Sequence, residues 1–152
     1  SPSGLLQNFK EKKMADVIYN RNIIDNDRKC VTSLIDISDG TGYSAQMIDV
    51  GNLNKNSLGQ TCNRISLQKL SYDNDIAAAA NPIQLQWNVG GGDNVPLFTL
   101  GEGYNQYDFT SFGGITNSEA TNASGDVWIV IPAGIANGET VTIITEWIKY
   151  YE

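Results

Sequence analysis

In residues 140–150 both registers of a two-residue alternation are apolar. Val141, Ile143, Thr145 and Trp147 fall on one face, and Thr142, Ile144, Glu146, Ile148 and Tyr150 on the other. Period two is the spacing of a β-strand, and two apolar faces predict a central strand covered on both sides. The same period recurs upstream. Ile83, Leu85 and Trp87 alternate with Gln84, Gln86 and Asn88. In residues 62–72, Ile65, Leu67 and Lys69 are placed on one face and Ser66, Gln68 and Leu70 on the other. Residues 30–38 are rich in Val, Thr and Ile and read as a strand ended by Asp39-Gly40-Thr41-Gly42; residues 43–50 follow as the second arm of a hairpin. Residues 96–100 and the apolar run 127–131 add strands, the latter closed by Pro132, and residues 104–112 read as strand or ordered loop. Asn137-Gly138 is the strongest hairpin signal in the chain. Residues 15–29 read as an extended arm or short edge strand, residues 51–61 and 113–124 as loops, and residues 77–80 as a loop or single helical turn stopped by Pro82. About seven or eight short strands with Gly, Pro and Asn punctuation predict an all-β, antiparallel β-sandwich or jelly-roll-like single domain with an extended N-terminal arm.

Composition narrows the function more than the fold. The chain has 152 residues, the size of one domain, so a core needs neither disulfide nor metal. A formal charge of −7 disfavours nucleic-acid and anionic-membrane partners and keeps an abundant protein soluble. No apolar run approaches the roughly 20 residues of a membrane helix. Histidine is absent, which removes Ser-His-Asp and Cys-His catalysis and His-ligated zinc. Cys30 and Cys62 match no metal spacing; two packed thiols are the favoured reading, with one disulfide as the alternative.

The segment Lys10-Glu11-Lys12-Lys13-Met14 stands apart. Lys and Glu codons are purine-only, and four of them before an ATG can spell a bacterial ribosome-binding site. Met14 is therefore read as the natural start, and residues 1–13 as upstream or fusion sequence from a bacterium or bacterial virus. The alternative is a charged helix or arm over residues 5–13. The organisation is then residues 1–13 as upstream sequence or arm, 14–29 as N-terminal arm, and 30–152 as the β-sandwich domain.

Candidate chemistry is sparse. Gly90-Gly91-Gly92 lacks the Lys-Ser/Thr of a phosphate loop and reads as a hairpin connection. Asp25, Asp27, Asp36 and Asp39 lack calcium-loop spacing and read as acidic turns. Glu102, Asp108 and Glu146 are the carboxylates that glycoside hydrolysis would draw on, with nothing in the sequence to set any two across a cleft. Asn122-Ala123-Ser124 matches a glycosylation sequon that a bacterial product would not use. Tyr104, Tyr107, Phe109 and Phe112 read as core or interface aromatics rather than sugar-stacking ones.

From Arg64 onward the chain resembles a family of small, capsid decoration-like virion structural proteins of tailed marine bacteriophages. The residues that carry the likeness are Leu85-Gln86-Trp87-Asn88, then Asp108-Phe109-Thr110-Ser111-Phe112-Gly113-Gly114, then Gly125-Asp126 before an apolar strand, and Gly138-Glu139-Thr140-Val141-Thr142-Ile143 before the last strand. A weaker match reaches back to Asp39-Gly40-Thr41. Each piece alone occurs in other β proteins; their order and spacing make the resemblance. The chain departs from the family at Gly90-Gly91-Gly92, where the family's turns are shorter and more varied.

The resemblance implies a virion structural protein without catalytic residues, metal or cofactor. Its role would be capsid decoration (cement) on the lattice of the major capsid protein, at the virion surface, as a homo-oligomer with a trimer favoured. Tyr104, Tyr107, Phe109 and Phe112 are the candidate interface, and residues 15–29 the arm that would order on binding. Two alternatives stay open. One is a carbohydrate-binding or tail-associated module using Tyr104, Tyr107 and Trp128; the other is a carboxylate glycoside hydrolase.

Overall fold

The computed structural model describes residues 16–75, 82–89, 94–117, 123–132 and 137–151. Nine strands form two antiparallel sheets packed face to face. Sheet A has the order β1 (Val17–Asp25), β2 (Lys29–Asp39), β9 (Asn137–Tyr150), β4 (Arg64–Asn74), β7 (Gly103–Asp108). Sheet B has the order β3 (Tyr43–Ile48), β8 (Ala123–Ile131), β5 (Ile83–Val89), β6 (Val95–Leu100). The β-sandwich expected from the alternation is the fold. Among the described residues no helix is long and apolar enough to cross a membrane.

The core lies between the sheets. Leu34, Ile65, Leu67, Leu70, Val141, Ile143 and Trp147 of sheet A meet Ile83, Leu85, Trp87, Val127 and Ile129 of sheet B. Trp87 and Trp147 cross edge to face at 5.9 Å between ring centroids. Burying such a side chain stabilises by about 1.5–3 kcal/mol, so the inward register of each strand is strongly specified.

Several expectations change. Of the two readings of residues 15–29, the edge strand is the one that forms, over Val17–Asp25: it pairs along β2, with Ile23 as an extra residue between the Asn22↔Thr32 and Ile24↔Val31 pairs, and is no free arm. The turn at Asp39-Gly40-Thr41 forms, with Asp39 Oδ1 accepting from the Thr41 backbone N–H at 2.9 Å. It carries the chain from sheet A to sheet B, so β2 and β3 are not a hairpin. Asn137-Gly138 makes no hairpin either: β8 and β9 lie in different sheets, and Asn137 pairs with Asp39 at a break in the β2–β9 register. Gly138 has φ 88°, the same left-handed backbone a hairpin turn would have needed.

In β4 a bulge at Gln68 shifts the register between Leu67 and Lys69. Ile65 and Leu67 face the core as expected, but beyond the bulge Leu70, Tyr72 and Asn74 are buried and Lys69 faces solvent. β9 is central, between β2 and β4, yet one face is open. Ile144 is 40 % and Ile148 39 % exposed. β5 and β6 pair as a hairpin would; the Gly90–92 connection itself, like residues 77–80, the sequon Asn122 and residues 1–13, lies outside the described residues.

Candidate functional site

The four aromatics expected at an interface divide between two places. β7 alternates, so Tyr104 projects from the outer face of sheet A, opposite Asp73, while Tyr107 turns inward opposite Leu70. Tyr107 stacks on Tyr72 at 6.2 Å and meets Phe98 of β6 at 4.9 Å. Phe109 is buried and lies parallel to Tyr107 at 6.0 Å, with Phe112 packed against it. These rings close the seam where edge strands β6 and β7 of the two sheets face one another, a core role. Tyr104 and Phe112 are well exposed, at 63 % and 67 %, and Tyr107 at 38 % also meets solvent; of the four only Phe109 is buried.

The segment from Asp108 to Gly114 is built to hold that seam. Asp108 Oδ1 accepts from the backbone N–H and hydroxyl of Thr110, and these bonds pull its pKa below the usual carboxylate range. Phe109 N–H donates to Gln68 O at 2.8 Å. Ser66 and Gln68 donate to Gly113 O, and Ile115 pairs with Leu67. A Cβ on Gly114 would stand 2.3 Å from Gln68 Nε2 and 2.8 Å from Leu67 O, at φ +92°. Gly125 is similar, with Asn63 O 2.7 Å from its would-be Cβ, while Asp126 Oδ1 accepts from Val50 N–H. The motif residues of the sequence thus hold turns and bulges.

Asp108 and Glu146 flank Lys69 across three neighbouring strands on the outer face of sheet A. They line a shallow cleft of about 560 Å³ together with Val31, Ser71, Gln106 and Ile144. A glycosidase needs one carboxyl held protonated. Asp108 is shifted the opposite way, and Glu146 is engaged by Lys29 at 2.6 Å. Glu102 sits outside the cleft, in the turn before β7.

The aspartates once considered for calcium serve separate tasks. Asp25 Oδ1 binds Lys149 Nζ at 2.6 Å, and Lys149 also donates to Asn26 O and Asn54 O. Burial alone would lower the Lys149 pKa; Asp25 and Tyr151 together outweigh it and the net shift is upward. Asp27 accepts from Ser57 N–H and Asp39 from Thr41. Asp36 is wholly buried and faces a second carboxyl, Asp16, to which it can hydrogen-bond when protonated. Burial and the neighbouring Asp16 and Asp39 push its pKa up to about 8. Among the described residues no three metal-ligating side chains converge. Cys30 and Cys62 are both buried free thiols, and burial pushes Cys30 up to about 12, far from a reactive thiolate.

The two outer faces of the sandwich differ in kind. On sheet A, Val17 pairs with Ile37 and Tyr19 with Ile35, and beyond them lie Ile24, Val31, Ile144 and Ile148. Val17, Tyr19, Ile24, Ile144 and Ile148 are all exposed. On sheet B the outward positions are Ser44 and Gln46 of β3, Trp128 and Val130 of β8, Gln84, Gln86 and Asn88 of β5, and Pro96 and Thr99 of β6. Trp128 therefore lies on the far side of the sandwich from Tyr104, with Tyr107 in the seam. The three residues expected to share a sugar are not one site. The apolar face of sheet A was missed because its residues come from strands distant in sequence; the polar alternation of Gln84, Gln86 and Asn88 was visible, but not that Trp128 lies beside it.

No family model and no curated protein matches the chain. Among solved structures it is similar to a low-affinity xylan-binding module from Roseburia intestinalis, at 12 % identity and TM-score 0.24, over 91 % of this chain and 96 % of that one. A likeness at that score carries no argument; the fold rests on the two sheets themselves.

Proposed function

We propose that this chain is a non-catalytic structural module of a phage particle, a capsid decoration protein that docks onto the major capsid protein through the outer face of sheet A. The observation that carries the reading is the set of uncovered apolar side chains on that face, Val17, Tyr19, Ile24, Ile144 and Ile148, interspersed with Arg21, Lys29, Lys69 and Glu146. Several large apolar side chains left in solvent on one sheet face, set among hydrogen-bonding and charged groups, suit a protein partner. β1 strengthens it, since an edge strand offers unpaired backbone groups to a neighbouring chain. The sequence resemblance to virion proteins supplies the class of partner. The carboxylates support no competing chemistry, because Asp108 and Glu146 are committed to Thr110 and Lys29.

Peptide mass spectrometry of purified particles tests the proposal, with copy number scaled to the major capsid protein. A copy number on the scale of the lattice is expected. A handful per particle would move the protein to the neck or tail, and absence from the particle would overturn the proposal.

A further inference from the structure

The outer face of sheet B has a chemistry that docking through sheet A leaves unused. Two rows of side chains run across all four strands in register. The first is Gln46, Trp128, Gln86 and Pro96; the second is Ser44, Val130, Gln84 and Thr99. None is charged, in a chain where 18 % of residues are. The one outward carboxylate on these strands, Asp126, sits at the end of the face and is bound to Val50 N–H. Among the described residues of the two rows, an ionic partner finds no charge to pair with.

What the face does offer is amides around an aromatic ring. Gln86 Nε2 donates to Gln84 Oε1 at 3.1 Å, and Gln84 Nε2 donates to Thr99 Oγ1 at 3.2 Å. This hydrogen-bonded chain holds two amides in fixed orientation, and Gln86 Oε1 takes no part in it and remains as an acceptor. An amide carries acceptor and donors side by side, which suits adjacent hydroxyl groups. Trp128 lies between Gln46 and Gln86, an apolar plane on which a pyranose ring can rest its C–H face. At the ~4.8 Å spacing between strands, a four-strand row spans about 14 Å, the scale of a short extended oligosaccharide. Protein interface cores favour aromatics, Met and Arg; this face has one aromatic, one aliphatic and a majority of uncharged hydrogen-bonding groups.

We infer that the outer face of sheet B binds an uncharged glycan chain, with Trp128 as stacking platform and Gln46, Gln84 and Gln86 as hydroxyl-reading groups. Sheet A remains free to dock, so the module would present a glycan-binding face outward.

Trp128 gives the test its own reporter. Trp87 and Trp147 are 3 % and 0 % exposed, so surface quenching by iodide reads Trp128. The full chain is run through native gels holding soluble mixed-linkage β-glucan, glucomannan, arabinoxylan or dextran, with alginate and polygalacturonate as acidic controls. Iodide quenching is measured against the same polymers. Retardation by at least one neutral polymer and none by the acidic ones is expected, with protection of Trp128 from iodide. Trp128→Ala should weaken retardation at least tenfold and Gln86→Ala severalfold, while Tyr104→Ala on the opposite sheet leaves it unchanged. Gln46→Ala and Gln86→Ala, at the surface, keep the test valid should Trp128→Ala fail to fold. Absence of retardation by every neutral polymer overturns the inference. So does retardation that survives both Trp128→Ala and Gln86→Ala, or equal retardation by alginate.

Discussion

Asp36 and Lys149 are two buried charge-bearing side chains with opposite provisions. Lys149 has a carboxylate and two carbonyls at 2.6–2.8 Å, which ties the β1–β2 turn and the loop at Asn54 to β9. Among the described residues Asp36 has no cation to pair with; it is buried against the carboxyl of Asp16, with Asp39 also near. Its folded-state pKa, about 8, lies above the ordinary 3.8. A raised carboxyl is protonated in both states below the ordinary value, and its contribution to stability is whole there. As pH climbs from about 4 to about 8 the unfolded state ionises first, and that contribution is lost. Asp36→Asn should therefore match the native protein near pH 4 and exceed it near pH 8, by on the order of 2 kcal/mol. Urea denaturation across that range checks it; a difference that does not grow with pH would mean Asp36 is ionised in the fold.

At the scale of elements, the bulges decide which side chains meet. Extra residues at Ile23, Met47, Gln68 and Leu97 each break a register. The bulge at Gln68 is the best supported, because Gly113 and Gly114 fold against it and Gln68 Nε2 reaches Gly113 O at 3.2 Å. Gly114 has no room for a side chain and a backbone that L-residues avoid. Gly114→Ala should lower stability by about 3 kcal/mol through strain and overpacking together. Gly113→Ala, with φ 89° but open space around it, should cost less. The two denaturant midpoints, compared directly, separate crowding from backbone strain.

For the whole molecule, the consequence of two unlike outer faces is that they can be disabled separately. Ile144→Asp with Ile148→Asp places charge on the exposed face of β9 without opening the core, since both side chains already meet solvent. Binding to capsids stripped of the protein, followed by co-sedimentation, should fall at least tenfold while the thermal midpoint stays within a few degrees. Unchanged binding would remove sheet A as the docking face.

The alternation in residues 65–67, 83–88 and 141–147 sufficed to predict strands and a sandwich, because period two and turn residues are local properties of the chain. The inward set Ile83, Leu85 and Trp87 was legible for the same reason; in residues 140–150 both faces are apolar, and only the structure shows that Val141, Ile143 and Trp147 face the core. Local turn signals were an uneven guide to pairing: β5 and β6 pair as neighbours, whereas β2 and β3, and β8 and β9, lie in different sheets. Asn137-Gly138 has hairpin chemistry, yet β9 pairs with β2 and β4, because a fourteen-residue strand with one wholly buried face gains most at the centre of a sheet. Nor could the sequence pattern place Lys69, whose face depends on a bulge stabilised from Gly113, far along the chain. Tyr104, Tyr107 and Trp128 look alike as exposed aromatics in one dimension. Strand alternation and the split into two sheets put them on one outer face, in the seam and on the other outer face, so local pattern determined the elements and long-range packing decided the surfaces.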